Sequence, residues 1–316
     1  MNLFITGGGG FIGSHLKKRL ALNGNFNVFA PKSSELNLTD ESAVDDFVRA
    51  HKIDAIVHLA NRGGGRDTLD MTNVTEYNLR IFFNIAKQKN KVAKIISFGS
   101  GAEYGKHKPI INAREDDYKK ALPLDEYGFY KAIASHYIED CANNIIQLRL
   151  FGIYGEMENY RYKFITNAVV KNLLHLPITI NQNVFFDYMY VEDLLNVVEF
   201  YIENDARHKI YNASSGTKID LLSLTALVNE ASDFKSEISV LNEGLNNEYT
   251  SDNSLLKSEM KDKFKLTPHL EAIGKIHKYF KQNFASLDLD TIKKDPYLGW
   301  FMSRCSTLNL SPAKVA

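Results

Sequence analysis

Three side chains in the first half of the chain could together transfer a proton. Tyr127 and Lys131 lie four residues apart in YGFYK (residues 127–131), so on a helix they would share one face. Ser100 ends the apolar segment VAKIISFGS (residues 92–100). A free phenol has a pKa of about 10, and a neighbouring ammonium lowers that pKa by favouring the phenolate. The three residues therefore predict acid–base chemistry with Tyr127 as the proton donor, if a cofactor and a pocket lie beside them.

A glycine-rich turn near the N-terminus predicts a site for a nicotinamide dinucleotide. The apolar strand NLFI (residues 2–5) runs directly into TGGGGFIG, after which apolar residues recur at helical spacing. Glycines at these positions allow a tight turn, a close approach of a pyrophosphate and close packing of helix on strand. The start of the helix adds free N–H groups and a positive dipole end. The residues expected at the phosphates are Gly7, Gly10, Phe11, Ile12 and Gly13.

The end of the second predicted strand, FNVFA (residues 26–30), favours NADP over NAD. An NAD site usually has an acidic residue here, which binds the ribose hydroxyls. This chain continues instead with Lys32 and Ser33, and Glu35 comes late. A lysine and a hydroxyl suit the 2′-phosphate of NADP, so NADP is the expected cofactor and NAD the alternative.

The order of the predicted elements indicates a parallel sheet with helices on both faces. Strands predicted over residues 53–60, 92–100 and 145–152 alternate with helices predicted over 73–90 and 126–144. This alternation is typical of an α/β protein with a Rossmann-type doubly wound sheet. In such a sheet ligands bind at the carboxyl ends of the strands.

Seven segments resemble, in the same order, those of the extended short-chain dehydrogenase/reductase family, in its branch of NAD(P)-dependent nucleotide-sugar epimerases, dehydratases and reductases. The segments are TGGGGFIG, HLAN (58–61), YNLRIFFN (77–84), SFGSGAEYG (97–105), YGFYK, LRLFGIYG (148–155) and FDYMYVEDL (186–194). The resemblance implies that Ser100, Tyr127 and Lys131 are catalytic. It also implies a smaller α/β domain in the second half of the chain that binds the nucleotide sugar.

The resemblance further implies contacts to cofactor and substrate. Beyond the glycine turn and the pair at 32 and 33, the expected cofactor contacts are Leu59, Ala60, Asn78, Tyr127 and Lys131. The expected substrate contacts are Ser100, Gly101, Ala102, Asn167, Asn181 and Tyr188. Phe186 departs from the family pattern, which has a pyrophosphate-binding arginine at that place. Arg149 lies within an apolar strand, so we expect it to form a buried ion pair.

Side chains that are absent narrow the reaction. The 4,6-dehydratases have an Asp-Glu pair directly after the catalytic threonine, where this chain has Gly101 and Ala102, and Glu103 stands one place beyond. The GDP-fucose synthases use a cysteine and a histidine, and the matching positions here are Ala102 and approximately Ile165. We therefore expect neither dehydration nor double epimerisation.

Two reactions and one non-enzymatic function remain. The expected function is NADPH-dependent reduction of a 4-keto-6-deoxy nucleotide sugar in bacterial surface-polysaccharide precursor synthesis, by hydride transfer to C4 with Tyr127 as the acid. The alternative is an NAD-dependent nucleotide-sugar 4-epimerase. The second alternative is a non-catalytic NADP-binding regulatory protein, although such proteins usually lose the tyrosine or the lysine, and this chain has both Tyr127 and Lys131.

Composition bounds the compartment and the partners. The 38 basic and 38 acidic residues balance, which argues against a nucleic-acid partner. The chain shows no signal-peptide pattern and no apolar run long enough to span a bilayer, so we expect a cytoplasmic location without membrane insertion. Cys141 and Cys305 fit no disulfide or metal pattern, and no metal site is expected. By resemblance we expect a homodimer through the helices predicted over 73–90 and 126–144.

A change of pattern after residue 155 predicts two domains and a C-terminal extension. We expect the dinucleotide-binding domain at 1–155 plus about 184–214. The substrate domain is expected at 156–183 and 215–286. Residues 287–316, which include Trp300, form an extension to which the sequence assigns no role.

We expect Tyr127→Phe to abolish turnover of a nucleotide sugar, because the variant keeps the ring and loses the transferable proton. Affinity for the cofactor should stay largely intact. Steady-state turnover and a fluorescence titration with NADPH measure the two effects. Turnover that persists in the variant would contradict the assignment of the proton donor.

Overall fold

A computed structural model of the chain describes residues 1–68, 71–141 and 143–299. The strands are β1 (Asn2–Thr6), β2 (Asn27–Phe29), β3 (Ala55–His58), β4 (Lys94–Ser100), β5 (Ile110–Ala113), β6 (Ile145–Leu150), β7 (Gly152–Tyr154), β8 (Ile178–Asn183), β9 (Phe185–Phe186), β10 (Tyr188–Tyr190), β11 (Ile210–Ala213), β12 (Ile219–Asp220), β13 (Ile238–Leu245) and β14 (Tyr249–Ser251). The helices are α1 (Phe11–Asn23), α2 (Glu41–Ala50), α3 (Val74–Ala86), α4 (Glu126–Cys141), α5 (Phe164–Leu173), α6 (Val191–Glu203), α7 (Leu221–Glu230), α8 (Ser254–Met260), α9 (His269–Gln282) and α10 (Leu289–Lys293).

A six-stranded sheet in the order β11-β6-β4-β3-β1-β2 forms the centre of the molecule. Every neighbouring pair in it runs parallel. The chain adds β2 on one side of β1 and then places β3 on the other side, so the direction of winding reverses between β1 and β3. A crevice opens at the carboxyl ends of the strands at such a point. The predicted Rossmann-type doubly wound sheet is thereby confirmed.

Apolar side chains cover both faces of the sheet. Helices α1 and α6 pack on one face, and α2, α3 and α4 pack on the other. Fully buried leucines of α1 and α6 on the first face are Leu16, Leu20, Leu194 and Leu195. Alternating strands and amphipathic helices produce this arrangement, because each helix buries one apolar stripe against the sheet.

A separate apolar cluster joins α5, α7, α9 and strand β8 in the second half of the chain. Ile292 of α10 and Tyr297 belong to this cluster, so the described part of the C-terminal extension packs on it. Leu256 and Met260 of α8 pack instead on the central sheet, although they lie in the range that we assigned to the substrate domain. The domain boundaries stay a prediction, and Trp300 and Cys305 lie outside the described residues.

Two predicted elements end earlier than the sequence indicated. The strand predicted over 145–152 leaves the central sheet after Leu150, and β7 pairs with β10 instead. The helix predicted over 73–90 ends at Ala86 and continues as a 3₁₀ turn, Lys87–Asn90. Helices α3 and α4 pack side by side on the sheet, and the homodimer through them stays a prediction. Among the described residues, no helix combines the length and the apolar character needed to cross a membrane.

Gly13 provides a test of the turn that joins β1 to α1. A Cβ at Gly13 would lie 2.3 Å from the carbonyl oxygen of Gly7. We expect Gly13→Ala to destabilise the protein by about 1–3 kcal/mol, the usual cost of overpacking, and to weaken cofactor binding because α1 must move away from β1. Thermal unfolding with and without NADPH measures both effects.

Gly274→Ala in α9 is the matched control. A Cβ at Gly274 meets no atom within 4 Å. Replacing glycine by alanine inside a helix should stabilise the protein by about 0.5–1 kcal/mol. Equal losses of stability in the two variants would contradict the packing argument for Gly13.

Candidate functional site

The glycine turn and the segment after β3 meet at the crevice. A Cβ on Gly7 would lie 2.8 Å from the backbone nitrogen of Ala60. The backbone N–H of Ala60 donates to the hydroxyl of Thr6 over 3.1 Å, and that of Leu59 donates to the Thr6 carbonyl over 3.2 Å. The structure therefore places Leu59 and Ala60 beside the glycine turn.

The start of α1 fits the phosphates of a dinucleotide. Gly7 has a φ of +70°, a conformation that favours glycine, and the N-cap residue Gly10 provides no side-chain cap. The N–H groups of Phe11, Ile12 and Gly13 at the first turn are consequently left without a side-chain acceptor. A pyrophosphate would accept hydrogen bonds there and be favoured by the helix dipole.

Lys32 and Ser33 lie exposed just beyond β2, at the edge of this turn. The Cβ of Ala30 lies 2.8 Å from where a Cβ on Gly8 would be, so the end of β2 borders the glycine turn. The carboxylate of Glu35 accepts a hydrogen bond from the backbone N–H of Lys32 over 2.7 Å. That contact uses the acidic group locally and leaves the ammonium of Lys32 facing solvent.

Asn78, a predicted cofactor contact, is bound to the chain itself. It is buried, its oxygen accepts from the backbone N–H of Arg62 over 2.8 Å, and its amide donates to the carbonyl of Arg62 over 2.7 Å. Both ends of the side chain are thus used to hold the segment that follows β3. In this structure Asn78 shapes the site indirectly.

Ser100, Tyr127 and Lys131 come together at the carboxyl end of β4. The hydroxyl of Ser100 interacts with the phenol of Tyr127. The ammonium of Lys131 lies 5.7 Å from the centre of the Tyr127 ring and donates a hydrogen bond to the carbonyl of Phe98. Asp125 positions the helix that carries Tyr127 and Lys131, because its carboxylate accepts from the backbone N–H of Gly128 over 2.8 Å.

The pKa values of the phenol and the ammonium differ from the expectation that Lys131 acidifies Tyr127. Burial raises the pKa of Tyr127 to about 12; the hydroxyl of Ser100 opposes this rise, and the charges of Glu103 and Asp125 add to it. Burial also lowers the pKa of Lys131 to about 8, against the charge of Glu103. The expectation was wrong for this structure because desolvation outweighs the attraction between a phenolate and the nearby ammonium.

His58 is a buried group of the site that the sequence analysis did not single out. Its Nδ1 lies 2.8 Å from the hydroxyl oxygen of Thr6. Burial lowers the pKa of His58 to about 3, and the charge of Lys131 acts in the same direction. His58 is therefore neutral at physiological pH and adds no second positive charge beside Lys131.

A glycine-rich loop, residues 61–68, covers the ring of Tyr127. A Cβ on Gly64, which has a φ of +91°, would lie 2.5 Å from Cε2 of Tyr127. Two residues further on, Arg66 donates to the carbonyl of Tyr162 over 3.1 Å. The loop thus runs from the proposed proton donor to the second half of the chain, and the sequence analysis assigned it no role.

Tyr249 is a second aromatic residue that sequence reasoning missed. Its hydroxyl would lie 2.5 Å from a Cβ on Gly101, and it interacts with the hydroxyl of Ser100. Its ring packs 4.9 Å from that of Phe151. Because β14 lies far from Ser100 in the chain, no local pattern could have placed Tyr249 here.

The other predicted substrate contacts occupy varied places. Ala102 is fully buried, and Tyr188 is half-buried with its ring 5.3 Å from that of Phe186. Asn167 donates to the carbonyl of Tyr160 over 3.0 Å, and Asn181 accepts from the amide of Asn242 over 3.2 Å. No contact among the described residues joins either asparagine to Ser100, Tyr127 or Lys131. Within the same part of the chain, no group of three acidic, histidine or cysteine side chains could hold a metal ion.

Glu103 links the serine turn to the neighbouring elements beneath the site. Ser100 caps a 3₁₀ turn, Gly101–Tyr104, and one carboxylate oxygen of Glu103 accepts from the Ser100 backbone N–H over 2.8 Å. The same oxygen accepts from Gln147 of β6 over 3.1 Å. The other oxygen accepts from Arg149 of β6 over 2.7 Å and from the hydroxyl of Ser135 of α4.

This network decides the role of two residues from the sequence analysis. The side chains of Glu103 and Arg149 are both 0% exposed, so the expected buried ion pair of Arg149 is present. Its partner is the acidic residue that stands one place beyond the dehydratase pair. Glu103 therefore faces the protein interior, where it cannot protonate a leaving hydroxyl of a substrate.

We expect Glu103→Gln to destabilise the protein by about 3–5 kcal/mol, because it leaves Arg149 buried without its partner. Loss of the carboxylate should also lower the pKa of Lys131 further. If the charged form of Lys131 contacts the cofactor, affinity for NADPH falls as pH rises through about 8 in the wild type. In the variant this fall should begin at a lower pH. Urea unfolding and NADPH titrations over a pH series measure the two effects.

Ser135→Ala separates the charge of Glu103 from its hydrogen bonds. The variant removes the hydroxyl that Glu103 accepts from and keeps both charges. We expect a loss of about 1–3 kcal/mol and an unchanged pH dependence of NADPH binding. A Glu103→Gln protein as stable as the wild type would refute the network.

Comparisons with known proteins agree with this architecture. The ADP-L-glycero-D-manno-heptose-6-epimerase of Brachyspira hyodysenteriae is 26% identical over 264 residues, covering 72% of this chain and 80% of that protein. A GDP-mannoheptose C4 reductase from Campylobacter jejuni, solved with NADP bound, superposes with a TM-score of 0.76 at 19% identity, over 89% of this chain and 98% of the other. A UDP-glucose 4-epimerase from Thermotoga maritima, solved with UDP-glucose, gives 0.75 at 20% identity, over 90% and 100%.

The structural likeness at these identities shows a shared fold. The family assignment rests on sequence: residues 3–214, more than half of the chain, match the model of the NAD dependent epimerase/dehydratase family. Every segment named in the sequence comparison, from the glycine turn to FDYMYVEDL, begins and ends inside that match. The chain therefore belongs to the NAD dependent epimerase/dehydratase family.

Proposed function

We propose that the protein is an NADPH-dependent reductase of a 4-keto-6-deoxy nucleotide sugar, acting in the synthesis of bacterial surface-polysaccharide precursors. The observation that carries the proposal is the convergence of Ser100, Tyr127 and Lys131 at the end of β4, beside the glycine turn. Relatives named as acting on nucleotide-linked sugars support the substrate class. Because the cofactor is a cellular metabolite, we expect the reaction in the cytoplasm.

The side chains of the site have separate tasks in this reduction. NADPH, when bound, supplies the hydride. Negative charge develops on the carbonyl oxygen at C4, and the hydroxyl of Ser100 donates a hydrogen bond to it. Tyr127 then transfers its phenolic proton to that oxygen, so an O–H bond forms on the sugar and a phenolate remains. Lys131 stabilises the phenolate until solvent returns a proton.

The raised pKa of Tyr127 suits a proton donor. With a pKa of about 12, the phenol is fully protonated at neutral pH before the reaction. A phenolate is costly in the buried site until charge develops on the substrate oxygen. The proton therefore stays on Tyr127 until the ketone begins to accept the hydride.

NADP is the cofactor that we propose, with NAD as the alternative. Lys32 and Ser33 are exposed beside the glycine turn, where the 2′-phosphate of NADP would lie. Glu35 is the nearest acidic residue in sequence, and it binds the backbone of Lys32. This arrangement supports recognition of a phosphate more than of two ribose hydroxyls.

An NAD-dependent 4-epimerase is the second candidate. The fold shared with the UDP-glucose 4-epimerase of Thermotoga maritima favours it, and the same three side chains would serve. In that reaction the sugar is first oxidised at C4 and the hydride then returns to the opposite face, so no NADPH is consumed overall. The two candidates therefore differ in cofactor balance.

A panel of TDP-, GDP-, UDP- and CDP-linked 4-keto-6-deoxy sugars tests the proposal. We expect one of them to be reduced with one NADPH oxidised per product, and faster with NADPH than with NADH. Lys32→Ala should reduce the preference for NADPH, whereas Lys278→Ala, an exposed lysine of α9, should not. A nicotinamide that survives gel filtration, with no net oxidation of NADPH, would favour the epimerase. Tight NADP binding without either activity would favour a regulatory protein.

A further inference from the structure

Three positive charges lie at the cleft above the triad, and the proposed reaction uses none of them. This cation cluster consists of Arg66, Lys106 and Lys163. Arg66 lies on the loop over Tyr127, and Lys106 follows Gly105 directly after the serine turn. Lys163 is the residue before α5. The three residues come from three separate segments, so only the fold brings them together.

Contacts of Arg66 place it beside Lys163. The guanidinium donates to the carbonyl of Tyr162, the residue before Lys163, over 3.1 Å, and it lies 4.4 Å from the centre of the Tyr297 ring. Helix α5 begins directly after Lys163 with no side-chain cap. The positive end of the α5 dipole therefore adds to the charges of the two side chains.

Lys106 completes the cluster on the side of the triad. Its ammonium lies 5.6 Å from the centre of the Tyr249 ring, and the hydroxyl of Tyr249 interacts with Ser100. Desolvation lowers the pKa of Lys106, Asp125 opposes this effect, and the positive charges of Lys163 and Arg66 lower the pKa further. The three cations are thus close enough to repel one another.

Acidic groups near the cluster compensate little of its charge. Asp125 is engaged with the backbone N–H of Gly128. Glu158, near Lys163, is buried, and burial raises its pKa to about 7, so a proton neutralises much of its charge at neutral pH. Among the described residues, neither Lys106 nor Lys163 forms an ion pair. The cluster therefore favours an anion that carries more than one charge.

We propose that Arg66, Lys106 and Lys163 bind the diphosphate of the nucleotide sugar. The proposal rests on the proposed function and assigns the part of the substrate that the triad does not hold. Phe186, whose ring lies 5.6 Å from that of Tyr249, brings no charge to this cleft, and Lys106 on the same aromatic ring supplies one. A diphosphate held here would place the attached sugar toward Ser100 and Tyr127.

Calorimetric titration of UDP, GDP, CDP, TDP and ADP into the full chain loaded with NADPH tests this site. We expect at least one nucleotide to bind, and Lys106→Met to weaken it by about tenfold or more, the size of a lost charge-assisted hydrogen bond. The affinity should fall less steeply with salt in the variant than in the wild type. Lys163→Met should act in the same way, and the affinity for NADPH should not change.

Two further variants distinguish the cluster from general surface charge. Lys106→Arg keeps the charge and should retain most of the affinity, whereas Lys108→Met removes an exposed lysine two residues away and should leave the affinity unchanged. Wild-type affinity for the diphosphate in both Lys106→Met and Lys163→Met overturns the proposed site alone, if reduction of a 4-keto sugar is still observed. A wild-type protein that binds none of the five nucleotides overturns the site and the proposed function together.

Discussion

One buried carboxylate holds the three parts of the proposed active site together. Glu103 accepts hydrogen bonds from the serine turn, from α4 and from two residues of β6. Neither it nor its partner Arg149 reaches solvent, so each charge depends on the other and on the neighbouring donors. Any shift of α4 relative to β4 would break part of this network. The relative positions of Ser100 and Tyr127 therefore depend on an interaction that no substrate touches.

Burial determines the protonation of the site as well as its geometry. The same desolvation makes Tyr127 a weaker acid and Lys131 a weaker base than either is in water. His58, buried beneath them, stays neutral. The site thus begins with a protonated phenol, and its electrostatic interactions act in a region of low dielectric constant, where they are stronger than in water. Such a site responds to charge that develops on a substrate oxygen.

The cleft joins segments that lie far apart in the chain. The loop at residues 61–68 rests on Tyr127 through Gly64 and reaches the second half of the molecule through Arg66. Tyr249, from β14, borders Ser100 from the opposite direction. The second half therefore contributes directly to the surroundings of the triad. In the proposed function, this is the region where the sugar and its diphosphate would lie.

The sequence by itself determined the features that depend on local pattern. Alternating strands and helices predicted the doubly wound sheet, the glycine spacing predicted the turn before α1, and one apolar strand predicted the burial of Arg149. Only the tertiary structure identified Glu103 as the partner of Arg149, placed Tyr249 beside Ser100 and showed that the pKa of Tyr127 is raised. Periodicity and turn chemistry act over a few residues and can be read along the chain. Desolvation and long-range contacts depend on which distant segments the fold brings together, and no local spacing records them.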